Sequence, residues 1–291
     1  MFATLLGGLP RPPLPDDAAA GAVLEAVVGA QEAAGLEPIT DGGLLAQADA
    51  VDAWRATSLL THRAVKQVLT GPYSLDASEA TADALNATIR DLAAAGCPLI
   101  EIHEPAATTI GDDADARGRF RDLHHRLLDG VTGTHLSLAI TGGDASAAGI
   151  ETLLAAPYAS LAVDLVAGPD NWYLVRSTPG DRGIVCGALP VVDGSDDGPE
   201  TLLWAASYAA SSHGRGAQRV GIATASSLEH LSWDAAVAKM ARLGEAVRIA
   251  MLPADERRTA LDPRAVSSRS AALGRHEPPP SRPPRRGPDP T

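Results

Sequence analysis

Residues 95–105 read Ala95-Gly96-Cys97-Pro98-Leu99-Ile100-Glu101-Ile102-His103-Glu104-Pro105. A long Ala/Leu-rich stretch of helical period runs into Gly96, a residue that ends helices because it enters the left-handed region at no steric cost. Five residues of strand character follow, and Glu104-Pro105 turns the chain toward another helical stretch. The segment is therefore one unit of helix, strand and corner.

Outward from it the same unit recurs in both directions. Strands are predicted over Thr4 to Leu9, Glu37 to Thr40, Ala64 to Leu69, Leu99 to His103, Thr134 to Ile140, Leu161 to Val166, Gly183 to Leu189 and Arg219 to Thr224. Helices are predicted near 17–34, 44–61, 76–95, 113–129, 145–155, 170–178, 197–213 and 229–250, several opened by Asp or Ser and the first closed by Gly35. Eight strands alternating with eight helices predict an α/β chain folded as a single (β/α)8 TIM barrel over residues 1–252. A doubly wound sheet would need a glycine fingerprint after the first strand, and Gly7-Gly8-Leu9-Pro10-Arg11 is not one. In a barrel, chemistry belongs to the C-terminal ends of the strands.

From about residue 253 the composition turns to Pro, Arg and Ser, ending Pro278-Pro279-Pro280-Ser281-Arg282-Pro283-Pro284-Arg285-Arg286. Such a stretch cannot bury enough apolar surface to offset its chain entropy, so 253–291 is expected to be a disordered tail, with a proline-rich docking peptide as the alternative.

Composition narrows the function. A net charge of -12 argues against a nucleic-acid partner, which needs a basic face. No apolar run reaches the ~20 residues that span a bilayer, and the first residues lack a basic leader, so no membrane association and a cytoplasmic location are expected. Cys97 and Cys186 are the only cysteines, too few for a disulfide framework or a Cys-rich zinc module. Cys97 precedes a strand and Cys186 lies within one; both read as small buried hydrophobes. His124 and His125 read as the exposed side of a helix.

The corners carry a resemblance. Leu6-Gly7-Gly8-Leu9-Pro10-Arg11-Pro12, Gln31-Glu32-Ala33-Ala34-Gly35-Leu36 with Ile39-Thr40-Asp41-Gly42, Val65-Lys66-Gln67-Val68-Leu69-Thr70-Gly71-Pro72-Tyr73, and the 95–105 segment follow one another in order and spacing. Over roughly residues 4 to 249 the chain resembles the C-terminal catalytic barrel of cobalamin-independent methionine synthase. The resemblance implies methyl transfer from a folate or another donor to the sulfur of homocysteine, with a zinc ion ionising the thiol. A thiol of pKa about 8.5 is a weak nucleophile until a cation stabilises its thiolate.

The same resemblance shows what has changed. The ligands it implies are a His and a Cys two residues apart on the fifth strand, a Glu on the sixth and a Cys after the eighth. They fall on His135, Ser137, the neighbourhood of Asp164, and Ser226. Serine hydroxyls are poor zinc ligands, so a zinc site of that kind is not expected. Gly8 and Gly43 stand where a Ser and a Glu help hold the amino acid, and His103 stands where an Asp grips its ammonium, so homocysteine is not the expected acceptor.

Asp41, Lys66, Tyr73, His103, Glu104, His135 and Asp164 remain at the expected mouth, with Ser137 and Ser226 nearby. His103 and His135 are the catalytic candidates; Asp41, Lys66, Tyr73, Glu104, Ser137 and Ser226 are the substrate-binding candidates. His103, His135 and Asp164 would form a two-His-one-carboxylate set suited to iron or manganese. The plainer reading has each His donating to a neighbouring oxygen. Adjacent residues on a strand face opposite ways, so only one of His103 and Glu104 is expected to face the lumen; the resemblance implies that it is His103, with Glu104 anchoring the Pro105 turn. The expected function is a diverged methyltransferase-like barrel acting on a small-molecule acceptor other than homocysteine, with a folate or a thiol as the expected class of small-molecule partner. The alternative is a barrel that binds a small molecule without catalysis.

Overall fold

The structure is a computed structural model, which describes residues 1–194 and 198–261. Seven strands form one parallel sheet: β1 (Phe2–Thr4), β2 (Lys66–Thr70), β3 (Leu99–His103), β4 (His135–Ile140), β5 (Ser160–Asp164), β6 (Gly183–Leu189) and β7 (Val220–Thr224). Their order is β1-β7-β6-β5-β4-β3-β2. Around them lie α1 (Ala20–Ala34), α2 (Ala50–Ser58), α3 (Pro72–Leu75), α4 (Glu79–Ala95), α5 (Ala114–Leu128), α6 (Ile150–Leu153), α7 (Trp172–Ser177), α8 (Pro199–Ser211), α9 (Trp233–Met251) and α10 (Ala254–Ala260). Asp49, Ser78, Asp113 and Ser232 accept from first-turn N–H groups, and Gly96 and, as read from the sequence, Gly35 close α4 and α1 with positive φ.

The predicted second strand is not a strand. Residues 37–40 lie between the two edge strands and clasp them: Glu37 N donates to Ala3 O (2.9 Å), Ile39 N to Ala64 O (2.8 Å), and Lys66 N to Ile39 O (2.9 Å). Thr4 Oγ1 adds a bond to Pro38 O (2.9 Å). Only the Ile39–Val65 bridge has ladder geometry, because Pro38 has no N–H to continue one. The result is a curled, TIM-like parallel sheet with a clasp where a second strand was expected. The first strand is also shorter than predicted: it ends at Thr4, and the apolar residues Leu5 to Leu9 are a buried corner.

Alternation sorts each strand between two environments. Outward residues such as Ile100, Leu138, Val163, Ile184 and Ile222 belong to the main core under the helices. Inward, Leu6, Ala139, Ala162, Val185 and Ala223 form a separate plug across the lumen, with Phe2 packed on it. The plug divides the lumen into two ends.

Two helical details depart from expectation. His124 is not exposed; it lies at 1% exposure on the buried stripe of α5 with Phe120, Leu123 and Leu127. Helix α10 falls within the stretch expected to be tail, and the remainder of that stretch, 262–291, lies outside the described residues. No helix among the described residues is long and apolar enough to cross a membrane.

Candidate active site

A cavity of about 260 Å³ opens at the C-terminal ends of the strands, where the loops after β1, β2, β3 and β7 meet the clasp. Asp41, Thr70, His103, Ser227 and Glu229 contribute polar side chains to it. His103 is the last residue of β3, in register with Thr70 of β2 and Ala139 of β4. Alternation turns it inward, as predicted. Its Nε2 lies 2.9 Å from Thr141 Oγ1. Burial is the main cause of a pKa below the usual 6.5, Lys66 lowers it further, and Glu101 and Glu104 oppose the shift. Burial therefore favours the neutral form of the imidazole.

The loop after β1 can lie against the loop after β7 because both positions at the contact are glycine. Gly7 has φ 88°, and a Cβ there would sit 2.6 Å from Ser227 Cα. Ser227 Oγ accepts from Gly8 N at 3.2 Å. A Cβ at Gly8 would overlap Glu229 Oε1, and one at Gly43 would come within 3.1 Å of the same atom. The Glu229 carboxylate therefore fills the notch at Gly8 and Gly43, the two positions where the sequence lacks a serine and a glutamate. Sequence reasoning missed Glu229, although Ser227-Leu228-Glu229 directly follows the last strand's corner. Asp41 borders the cavity but spends both oxygens on its own turn, accepting from Gly43 N (3.0 Å) and Leu45 N (2.9 Å).

The other candidates are placed elsewhere. Glu104 is fully buried on the outer side of β3, where Oε1 accepts from Tyr73 N (2.9 Å) and Oε2 from Ser74 N (2.7 Å), anchoring α3. Its Oε1 also lies 3.1 Å from His124 Nε2, and His124 Nδ1 lies 2.5 Å from the Tyr158 hydroxyl. Burial, reinforced by Glu104, holds that phenol well above its usual range. Tyr73 packs edge-on against Phe120, at 5.5 Å, and does not line the cavity. Ser226 also misses the lining; Ser227 takes the place expected of it.

His135 and Asp164 lie at opposite ends of the barrel and cannot share a metal. His135 begins β4, exposed, with Nε2 2.8 Å from Ser160 Oγ. Asp164 ends β5 at 1% exposure, where Oδ1 accepts from Val166 N and Ala167 N and Oδ2 from Gly142 N. That carboxylate is committed to the β5 corner. Lys66 and Ser137 face the lumen on the N-terminal side of the plug, not the mouth.

The donor set does not fit a zinc centre of the kind the resemblance implies. Its carboxylate is bonded to three backbone N–H groups, His135 and Ser137 are at the wrong end, and Ser226, though at the mouth end, is outside the cavity lining. Cys97 and Cys186 lie elsewhere, and burial holds their thiols up at about 11 and about 12, so neither is a ready thiolate. Among the described residues no three His, Cys, Asp or Glu side chains are grouped to hold a metal.

Similarity to solved structures follows this architecture. A B12-independent methionine synthase from Shewanella sp. W3-18-1, solved in complex with selenomethionine, superposes with TM-score 0.67 at 16% identity, over 84% of this chain and 97% of that one. The fold is that of the B12-independent methionine synthases. A Listeria monocytogenes protein assigned to the same activity gives TM-score 0.63 at 14% identity, covering 85% and 98% of the two chains. A methyltransferase from Methanosarcina mazei gives 0.53 at 11%, covering 84% and 93%. No family model matches the sequence. No curated protein matches it either.

Proposed function

We propose that this protein is a methyltransferase-like barrel whose C-terminal mouth takes a small-molecule acceptor other than homocysteine, with His103 as its general base. The observation that carries the reading is the placement of His103: inward, largely shielded from water, and beside Thr141 at the mouth of a methionine-synthase-type fold. With Nε2–H donated to Thr141 Oγ1, Nδ1 keeps the lone pair. An acceptor H–X then gives its proton to His103 as X bonds to the methyl carbon and the donor–methyl bond breaks. The donor's leaving atom regains that proton, so the sum is donor–CH3 plus H–X to donor–H plus X–CH3.

In this reading the family's zinc site has degenerated and base catalysis replaces thiol ionisation by a metal. Glu229 and Asp41 leave the mouth acidic, which favours an acceptor with a cationic group on that side. The acceptor in this reading is a small molecule of the thiol class, the donor a folate, and the location cytoplasmic; two free, buried cysteines accord with a reducing compartment.

The test is methyl transfer from 5-methyltetrahydrofolate, and separately from simple S-methyl and N-methyl donors, to a panel of amino thiols and homocysteine, read by mass spectrometry. The expected result is product with an acceptor other than homocysteine and a fall of about 10²-fold or more for His103→Gln. Methionine formation by the unaltered protein, or full activity of His103→Gln, would overturn it. Saturable binding of the same compounds without product would favour a binding protein.

A further inference from the structure

The opposite end of the lumen holds a second cavity, of about 360 Å³, on the N-terminal side of the plug. It is about a dozen times the ~30 Å³ share of one water molecule. Its rim carries the exposed residues His135, Asp181, Gln218 and Arg219, so it opens to solvent. Its walls include Phe2, Leu99, Ile184 and Val185.

Its interior contains an incomplete polar network. Lys66 Nζ donates to Glu101 Oε2 (2.8 Å) and to Leu5 O (2.7 Å). Glu101 Oε1 has no hydrogen-bond partner, nor has Ser137 Oγ. Both residues are 2% exposed, and they are register partners across β3 and β4, facing inward side by side. A buried polar atom without a partner carries a desolvation cost that a matching ligand removes. The two atoms ask for complementary things. The carboxylate oxygen accepts only, whereas the hydroxyl can donate. Lys66 already balances the charge of Glu101, so an added ion would enter a compensated, poorly solvated site without a counter-charge of its own.

We propose that this cavity is a binding site for a small neutral molecule bearing a primary carboxamide. Its N–H donates to Glu101 Oε1, its carbonyl oxygen accepts from Ser137 Oγ, and its apolar part lies against Phe2, Leu99 and Val185. The site is separate from the C-terminal mouth and stands whether or not the mouth transfers methyl groups.

The test uses the full chain and ligand-observed NMR with four probes: propionamide, N,N-dimethylpropionamide, propionate and propylammonium. Propionamide is expected to bind about tenfold or more tightly than each of the others. Ser137→Ala removes only a hydroxyl and should weaken propionamide binding by a similar factor. Ser227→Ala, at the opposite mouth, should leave it unchanged. In Glu101→Gln the amide oxygen stays with Lys66 and the NH2 faces the cavity, so the preference for propionamide over its dimethyl analogue should disappear. Circular dichroism of each variant separates lost binding from lost fold. Equal binding of propionate or propylammonium, indifference to Ser137→Ala, loss of binding in Ser227→Ala, or no saturable amide binding would each overturn the proposal.

Discussion

His103 couples protonation to folding with a definite sign. In the unfolded chain it titrates near 6.5, and in the folded protein, chiefly through burial, below that. Between those values the unfolded chain binds more protons, so stability falls as the pH drops through 6.5 and levels off below the folded value. Urea unfolding at a series of pH values should show a steeper acid-side loss for the wild type than for His103→Gln; parallel curves would contradict this. The same residue shows what was legible at this scale. Strand alternation required one of His103 and Glu104 to face inward, the resemblance pointed to His103, and the structure places His103 inward and Glu104 outward. His135 was misplaced because its role was carried over from the resemblance, although the predicted strand, Thr134 to Ile140, already set it at the strand's start. The apolar run, Leu136 to Ile140, follows it, which puts it at the start of β4. His124 was readable: Phe120, Leu123, His124 and Leu127 share the spacing of one helix face, so the apolar stripe includes the imidazole. Glu229 was not, because its role comes from space left open by Gly8 and Gly43, far away in the sequence.

Elements were legible wherever a helix or strand had chemical punctuation. Asp113 caps a helix where one was expected to start, whereas α2 begins at Ala50 rather than near residue 44, and the clasp and the corner after β1 were taken for strands on the strength of Ile39, Leu5, Leu6 and Leu9. A buried loop and a buried strand share a composition; they differ in where their N–H groups go. Helix α9 offers a test of a different constraint. Gly244 lies in its interior, where glycine is ordinarily unfavourable, and a Cβ there would overlap the carbonyl oxygen of Ala34 at the end of α1. The missing side chain lets the two helices touch. Gly244→Ala should therefore destabilise by about 2 kcal/mol through overpacking, despite alanine's better helix propensity. Thermal unfolding would measure it, and a rise in Tm would show that α1 and α9 are not in that contact.

At the scale of the whole molecule, the alternation of units predicted a parallel barrel, and a curled sheet ringed by helices is what forms. The repeat could not show how the circle closes, since closure depends on which backbone groups at two distant edges find partners. Between β1 and β2 the clasp supplies only a few bonds, whereas each strand from β3 to β6 is laddered on both sides. That asymmetry has a kinetic consequence. Native proteins open in patches, and a patch held by few bonds opens at a lower free energy than the whole chain unfolds. In deuterated water the amides of Ile39 and Lys66 should exchange well before those of Leu161 and Ala162 in β5, through an opening that leaves the β3 to β6 ladders closed. Synchronous exchange of both sets would mean that the ring opens only by global unfolding. If the two sets separate, the barrel has a built-in gap in its hoop, and the order of deuterium uptake around the circumference will locate it.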